Sequence, residues 1–236
     1  MVLEDAAAHY LGRVLRVTTG QAVSLFNGDG CEYPAEVVRT GRRDVRLAVI
    51  DRRPGLPESP FDITVVQALS RGERMDQTLQ KCTELGAAAF QPLISERSEL
   101  RLTGEKLARR IEHWRGVIIS ACEQSGRARV PGLRNPLSVA DWLALPAEGG
   151  RLVLEPQAQT PLAAAPEGRS VELAAGPEGG FSPGELATMR ECGVQSVALG
   201  PRVLRTETAA PAAVAILQSL MGDLGGNASS RPVNRP

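Results

Sequence analysis

The period of hydrophobic and polar positions changes near residue 60. Before it, the runs 21-QAVSLF-26, 31-CEYPAEVVRT-40 and 45-VRLAVI-50 place apolar side chains at alternate positions over part of their length, the pattern of a strand with one buried face. Asn27-Gly28 stands between the first two, and both residue types tolerate the positive φ of a tight turn, so the spacing predicts a hairpin. Residues 1–58 therefore read as a small β domain. The segment 51-DRRPGLPESP-60 holds three prolines and a glycine and reads as a linker.

Beyond the linker, strands alternate with helices. The run 61-FDITVVQAL-69 predicts a strand, and 73-ERMDQTLQKCTELG-86 a helix that stops at Gly86, the residue type favoured just past a helix C-terminus. A strand over 88–94 precedes a long helix over 103–126, whose apolar positions are Leu107, Ile111, Trp114, Ile118, Ile119 and Cys122. Further strands are predicted at 151-RLVLEP-156, 171-VELAAG-176 and 196-SVALG-200. This alternation implies an α/β domain over 59–224 with a mostly parallel sheet covered on both faces. The tail 225–236 is polar and rich in Gly, Pro and Ser, and is expected to be disordered.

Composition adds limits rather than identity. At 236 residues and 42% hydrophobic content, the chain can build a sizeable core. Its 27 basic and 27 acidic residues cancel, so net charge points to no partner. The distribution is less even: residues 71–134 carry 12 basic against 8 acidic side chains, and the basic ones are nearly all arginine, whose planar fork suits phosphate and base edges. Cys31, Cys82, Cys122 and Cys192 form no CxxC pair, which suggests neither a zinc site nor a disulfide framework and fits a reducing compartment. No secretory leader pattern and no apolar run of roughly 18 residues is present, so a cytoplasmic protein without membrane contact is expected.

Candidate chemistry lies in three loops at strand ends: 154-LEP-156, 176-GPEGG-180 and 199-LGPRVLR-205. In parallel sheets ligands bind beyond the carboxyl ends of the strands, so these loops can share one ligand. Ser182-Pro183-Gly184-Glu185 reads as a capping box, which fixes the next helix start and leaves 176–180 as the loop proper. Its glycines let a flat ligand reach backbone N–H and C=O groups; a tight turn without ligand is the other reading. The Lys-Ser/Thr of a phosphate loop and the spacing of a dinucleotide fingerprint are missing, and Glu178 opposes an anion at the helix start. A nucleoside without phosphates, such as cationic S-adenosylmethionine, fits better. The third loop enters an apolar, Ala-rich helix, which Thr206 or Thr208 can cap and in which Pro211 is tolerable if it falls in the first turn. A helix so apolar must be buried beneath the sheet or against another subunit.

Taken together, 70-SRGERMDQTLQKCTELG-86, 95-SERSEL-100, 120-SACEQSGRARVP-131, 176-GPEGGFSPGE-185 and 199-LGPRVLRTETA-209 closely resemble the RsmE family, the ribosomal RNA small subunit methyltransferase E enzymes of the SPOUT class. The stretch 9-HYLGRVLRVTTGQAVSLFNGDG-30 resembles that family's small PUA-like β-barrel. The resemblance covers nearly the whole chain except the tail.

It implies a deep trefoil knot in the C-terminal domain, a homodimer with active sites near the subunit interface, and methyl transfer from S-adenosylmethionine to N3 of a uridine in small-subunit (16S) ribosomal RNA. S-adenosylhomocysteine is the implied product. No metal is implied. Carried over to this sequence, the cofactor loops fall on Leu154, Glu155 and Pro156, on Gly176, Gly179 and Gly180, and on Leu199, Gly200, Val203, Leu204 and Arg205. Arg205 is the expected stabiliser of charge on the uracil, with Glu207 orienting it or assisting proton removal, and Glu178 and Glu96 are rival bases. Arg97, Arg127 and Arg129 are candidates for RNA contact, and Arg13 and Arg16 extend that surface. The RNA substrate is expected either naked or within the assembled subunit. Two alternatives remain: a SPOUT enzyme acting on transfer RNA ribose, and a non-enzymatic RNA-binding or ribosome-assembly protein.

Overall fold

The alternation in residues 31–49 builds the first sheet. In the computed structural model, which describes residues 1–98, 103–164 and 168–225, strands β1 (Val2–Glu4), β2 (Ala22–Leu25), β3 (Cys31–Thr40) and β4 (Asp44–Val49) pair antiparallel in the order β1-β4-β3-β2. Ala35, Val37, Val45 and Leu47 point inward onto Ala8, Leu11 and Val17 from the helical segment α1 (Asp5–His9) and the wide turn that continues it. The β2–β3 connection differs from the two-residue turn that Asn-Gly predicts. It runs over residues 26–30, with Gly28 at φ 91° and Gly30 at φ 84°, and Asn27 and Asp29 accept the amides of Asp29 and Cys31.

The presumed linker is also partly structured. Arg53–Pro54 forms β5, antiparallel to β3, and Arg53 donates two hydrogen bonds to Glu32. A proline is tolerated there because an edge strand need not donate every amide. Two units divide the chain: the first comprises 1–57 together with 126–130, the second 58–125 and 131–236.

The second unit is a parallel sheet in the order β12-β10-β11-β6-β7-β8. Its strands are β6 (Asp62–Ala68), β7 (Ala89–Ile94), β8 (Gly132–Leu133), β10 (Gly150–Leu154), β11 (Ser170–Ala175) and β12 (Gln195–Val197), while β9 (Leu137–Ser138) also pairs with β7. Central β6 is buried from Ile63 to Ala68, as a strand covered on both faces should be. On one face, Val66, Ala68, Val153 and Ala174 pack on α4 (Val139–Ala144) and α5 (Pro183–Glu191) through Trp142 and Met189. The helices α2 (Arg74–Glu84), α3 (Gly104–Ser125) and α6 (Thr206–Met221) are the others of this unit. Helix α2 buries Met75, Thr78, Leu79 and Cys82 at helical spacing, and Gly86 follows it at φ 89°.

A buried ion pair joins two neighbouring strands. Arg151 and Glu172 lie side by side in the β10–β11 register, and Arg151 Nε donates to Glu172 Oε2 at 2.7 Å. Trp142 Nε1 donates to the same oxygen, and the other guanidinium nitrogens donate to the carbonyls of Trp142, Leu143 and Leu145. Every charge is thereby compensated, as a buried pair requires.

Helix α6 departs from its predicted start. Arg205 is its N-cap, neither threonine hydroxyl caps it, and Pro211 sits inside the helix, where it offers no amide to the Glu207 carbonyl. Its Ala210, Ala213, Val214 and Leu217 are buried. Among the described residues no helix is long and apolar enough to cross a membrane. The expected disordered tail lies outside the described residues apart from Gly225.

Candidate functional site

The topology puts the three candidate loops side by side. Strands β10, β11 and β12 are parallel, with Leu154 level with Val197 and Val153 level with both Ser196 and Ala174, so residues 154–156, 176–180 and 198–205 all leave the same edge of the sheet. Residues 69–71 and 95–98 leave that edge from β6 and β7.

The glycine loop is held from several sides. Ser182 and Glu185 form the capping box that the spacing predicts, each side chain bonding the other's amide. Glu185 has a second role that spacing did not reveal: its Oε1 accepts the amide of Glu96, which ties the start of α5 to the turn after β7. Gly180 closes a turn on Pro177 O and has φ 67°, a conformation that suits glycine. A Cβ on Gly176 would stand 3.0 Å from Gly180 Cα and Phe181 N, so that glycine serves the loop's own packing. Only Gly179 lacks an internal backbone reason for being bare.

A polar clasp missed by sequence reasoning joins this loop to α6. Thr206 Oγ1 donates to Gly176 O at 2.7 Å and accepts from Gln67 Nε2 at 3.0 Å. Gln67 is 1% exposed, on the central strand, and its Oε1 has no hydrogen-bond partner among the described residues. A glutamine within a run read as a strand covered on both faces is the signal that could have marked it.

The clasp positions the two expected catalytic residues next to it in sequence. Arg205 is 84% exposed at its side chain, with Nη1 4.0 Å from Glu207 Oε1. The Glu207 side chain is only 15% exposed; its Oε2 lies 3.7 Å from Arg74 Nε and makes no hydrogen bond among the described residues. That leaves an enclosed carboxylate oxygen with accepting capacity. Its rival Glu178 is occupied: Oε1 accepts the Arg71 amide at 3.0 Å and Arg74 Nη1 at 2.9 Å. Glu178 is therefore a partner of Arg74 rather than the uncompensated negative charge expected at this helix start. Glu96 is exposed beside it.

Glu155 turns toward α5, where Arg190 Nη2 bonds both its oxygens at 2.9 and 3.1 Å. Burial raises its pKa, but the Ser196 hydroxyl and Arg190 outweigh burial and hold it below the ordinary carboxylate value. Pro156, Gly200 and Val203 are exposed, and Leu154, Leu199 and Leu204 are half-buried. Gly200 has φ 116°, and no atom stands within 4 Å of where its Cβ would be.

The RNA candidates separate. Arg97 lies against the glycine loop, donating from Nη1 to Gly179 O at 2.7 Å. Its neighbours 99–102 lie outside the described residues. Arg127 is buried, so it is not a surface available for RNA, in contrast to its expected role; desolvating an arginine requires internal partners. Arg129 is exposed within the first unit, where Gly30 sits beneath its guanidinium. Arg13 and Arg16 line a cavity of about 690 Å³ in the first unit together with Asp5, His9, Arg42 and Arg43. Among the described residues no group of three His, Cys, Asp or Glu could hold a metal ion.

A family model described as an RNA methyltransferase domain matches residues 57–218, and one described as an RNA methyltransferase PUA domain matches residues 3–50. The ribosomal RNA small subunit methyltransferase E of Buchnera aphidicola subsp. Schizaphis graminum is 32% identical over 224 residues, covering 94% of this chain and 91% of that protein. The solved ribosomal RNA small subunit methyltransferase E from Neisseria gonorrhoeae, bound to S-adenosyl methionine, has a TM-score of 0.87 and 38% identity, covering 94% of this chain and 92% of that one. A methyltransferase from Legionella pneumophila, solved with the bound cofactor SAM, has a TM-score of 0.91 and 39% identity, covering 95% and 94%.

Proposed function

The chain belongs to the ribosomal RNA small subunit methyltransferase E family, and from that membership we propose that it methylates N3 of one uridine in 16S ribosomal RNA, using S-adenosylmethionine and releasing S-adenosylhomocysteine. The PUA-like first unit binds RNA through Arg13, Arg16 and Arg129; the SPOUT-type second unit carries the chemistry, with Arg97 at its RNA-facing side.

The residues present fit the cofactor. A purine needs open backbone and apolar surface, and the loops offer both: bare left-handed Gly180 and Gly200, half-buried Leu199 and Leu204, and Val203, which is 80% exposed despite being apolar. Loops 154–156, 176–180 and 199–205 would hold it. When bound, it supplies an electrophilic methyl group on a sulfonium.

The chain's own residues must then prepare the acceptor. N3 of uracil bears a proton and is a poor nucleophile until that proton leaves. Glu207 receives or directs this proton through Oε2, which makes no hydrogen bond among the described residues. Arg205 stabilises the negative charge that develops on O2 or O4, where a preplaced cation counts most. The fixed loops hold both reactants in register, which replaces an intermolecular encounter by a local one.

The observation that best supports this reading is the Thr206 clasp, because it ties the start of the helix bearing Arg205 and Glu207 to the glycine loop at Gly176. The homodimer and trefoil knot implied by the resemblance belong to the same proposal, as does action in the cytoplasm. For the dimer, support comes from Ala212 and Ile216, half-buried on α6 in the single chain, and Leu220, which is 54% exposed, one helical turn apart from each other. Arg205→Ala should lower kcat about 10²-fold. Normal turnover with normal cofactor affinity in that variant would refute the assignment.

A further inference from the structure

On the side of the glycine loop opposite the cofactor loops, the second unit holds a cavity of about 510 Å³ lined by Arg71, Arg74, Glu96, Arg97, Ser98 and Glu178, with Gly179 at its edge. Its position follows from strand order. Loops 154–156 and 199–205 leave β10 and β12, on one side of β11; the cavity walls leave β6 and β7, on the other. Residues 176–180 leave β11 itself and form the wall between. A transferase needs donor and acceptor sites that share a wall, and this arrangement supplies the second.

The cavity is a built one. Arg74 is fastened by Nη1 to Glu178 Oε1 and to the Arg71 carbonyl, and Arg97 by Nη1 to the carbonyls of Gly179 and Phe181. Among the described residues, Nη2 of neither makes a hydrogen bond. Each guanidinium is thus oriented in advance while one face of its fork stays available, the arrangement that recognises phosphate oxygens at low ordering cost. Ser98 is fixed by Ser95, which shapes the floor. Glu178 is already paired with Arg74, and Glu207 Oε2 lies 3.7 Å from the same arginine.

We infer that this cavity is the acceptor subsite, where the RNA backbone phosphates flanking the target uridine seat on Arg71, Arg74 and Arg97. The inference rests on the proposed methyl transfer to RNA and specifies where its acceptor is held. Glu207 joins the two sites: its Oε2 lies 3.7 Å from Arg74 Nε, so the same carboxylate faces the cation of the acceptor site and follows Arg205 of the cofactor loop.

The test compares Arg71→Gln and Arg97→Lys with the full-length wild type, measuring methyl transfer to 16S ribosomal RNA, naked and in small subunits, across salt concentrations, and S-adenosylmethionine binding by calorimetry. Arg71→Gln should raise the KM for RNA about fivefold at 0.15 M salt and flatten the slope of log affinity against log salt by about 0.7–0.9, as one lost phosphate contact does. Arg97→Lys keeps the charge but loses the fork, so KM should rise while the slope holds. Cofactor affinity should stay within about twofold in both. An unchanged KM and slope in Arg71→Gln, or a loss that falls on cofactor binding, would overturn the acceptor site while leaving the methyltransferase reading intact. A wild type that neither binds the cofactor nor methylates RNA would overturn both.

Discussion

Gly180 shows how a single residue can be important for a reason other than the first one suggested. Three glycines in five residues invite the reading that backbone must meet a ligand, yet Gly180 sits at φ 67° and Gly176 is crowded by backbone, so both glycines are already required by the loop's shape. A β-branched side chain at Gly180 pays the left-handed penalty of roughly 1–2 kcal/mol, which a domain with stability on the order of 5–15 kcal/mol survives. Gly180→Val should therefore remain folded by thermal melt and lose S-adenosylmethionine binding by calorimetry; retained binding would detach this loop from the cofactor. At Glu207 the sequence supplied only a motif position. The enclosed oxygen without a hydrogen bond among the described residues, which distinguishes Glu207 from Glu178, depends on Arg74 and Arg71 arriving from another strand end and helix.

At the scale of elements, what could be read in advance was whatever depends on local chemistry. Ser182 and Glu185 are three residues apart, and their reciprocal bonds follow from that spacing alone. The helix stop at Gly86 is of the same kind. What could not be read depends on partners distant in sequence: Gln67 with Thr206, Glu185 with Glu96, and Arg151 with Glu172 across two strands. Thr206, expected as a cap, gives its hydroxyl to Gly176 O instead. Thr206→Val should cost about 1 kcal/mol and weaken cofactor binding, with Thr206→Ser restoring both. An intact affinity in the valine variant would reduce the clasp to a packing detail. Glu172→Ala leaves Arg151 buried and unpaired and should destabilise by about 3–5 kcal/mol in denaturant unfolding. The Glu155–Arg190 pair gives a pH signature. Because the folded carboxyl is depressed, its stabilisation is complete above the unfolded carboxylate range and is lost as pH falls through the folded value. Wild type and Glu155→Gln should differ in melting temperature at pH 7 and converge as the pH falls through and below the depressed carboxylate value; a difference that stays constant on acidification would contradict the pairing.

For the whole molecule, the change of hydrophobic period near residue 60 separated an antiparallel β unit from a parallel α/β unit. It could not reveal that residues 126–130 belong to the first unit, since that depends on tertiary contacts made after a long helix. The polar, arginine-containing segment 123–129 suggested an RNA contact by Arg127, although the fold buries that residue. The proposed dimer draws on the half-buried stripe of α6; sedimentation should give twice the chain mass, and Ile216→Glu should shift it toward a single chain. Function at this scale is a product rather than a contact. The most direct test incubates the chain with methyl-labelled S-adenosylmethionine and small-subunit ribosomal RNA, naked and assembled, and identifies the labelled nucleoside and its position. N3-methyluridine at one position of 16S ribosomal RNA is the predicted result, and a ribose-methylated nucleoside, or no transfer in either form of the RNA, would contradict it.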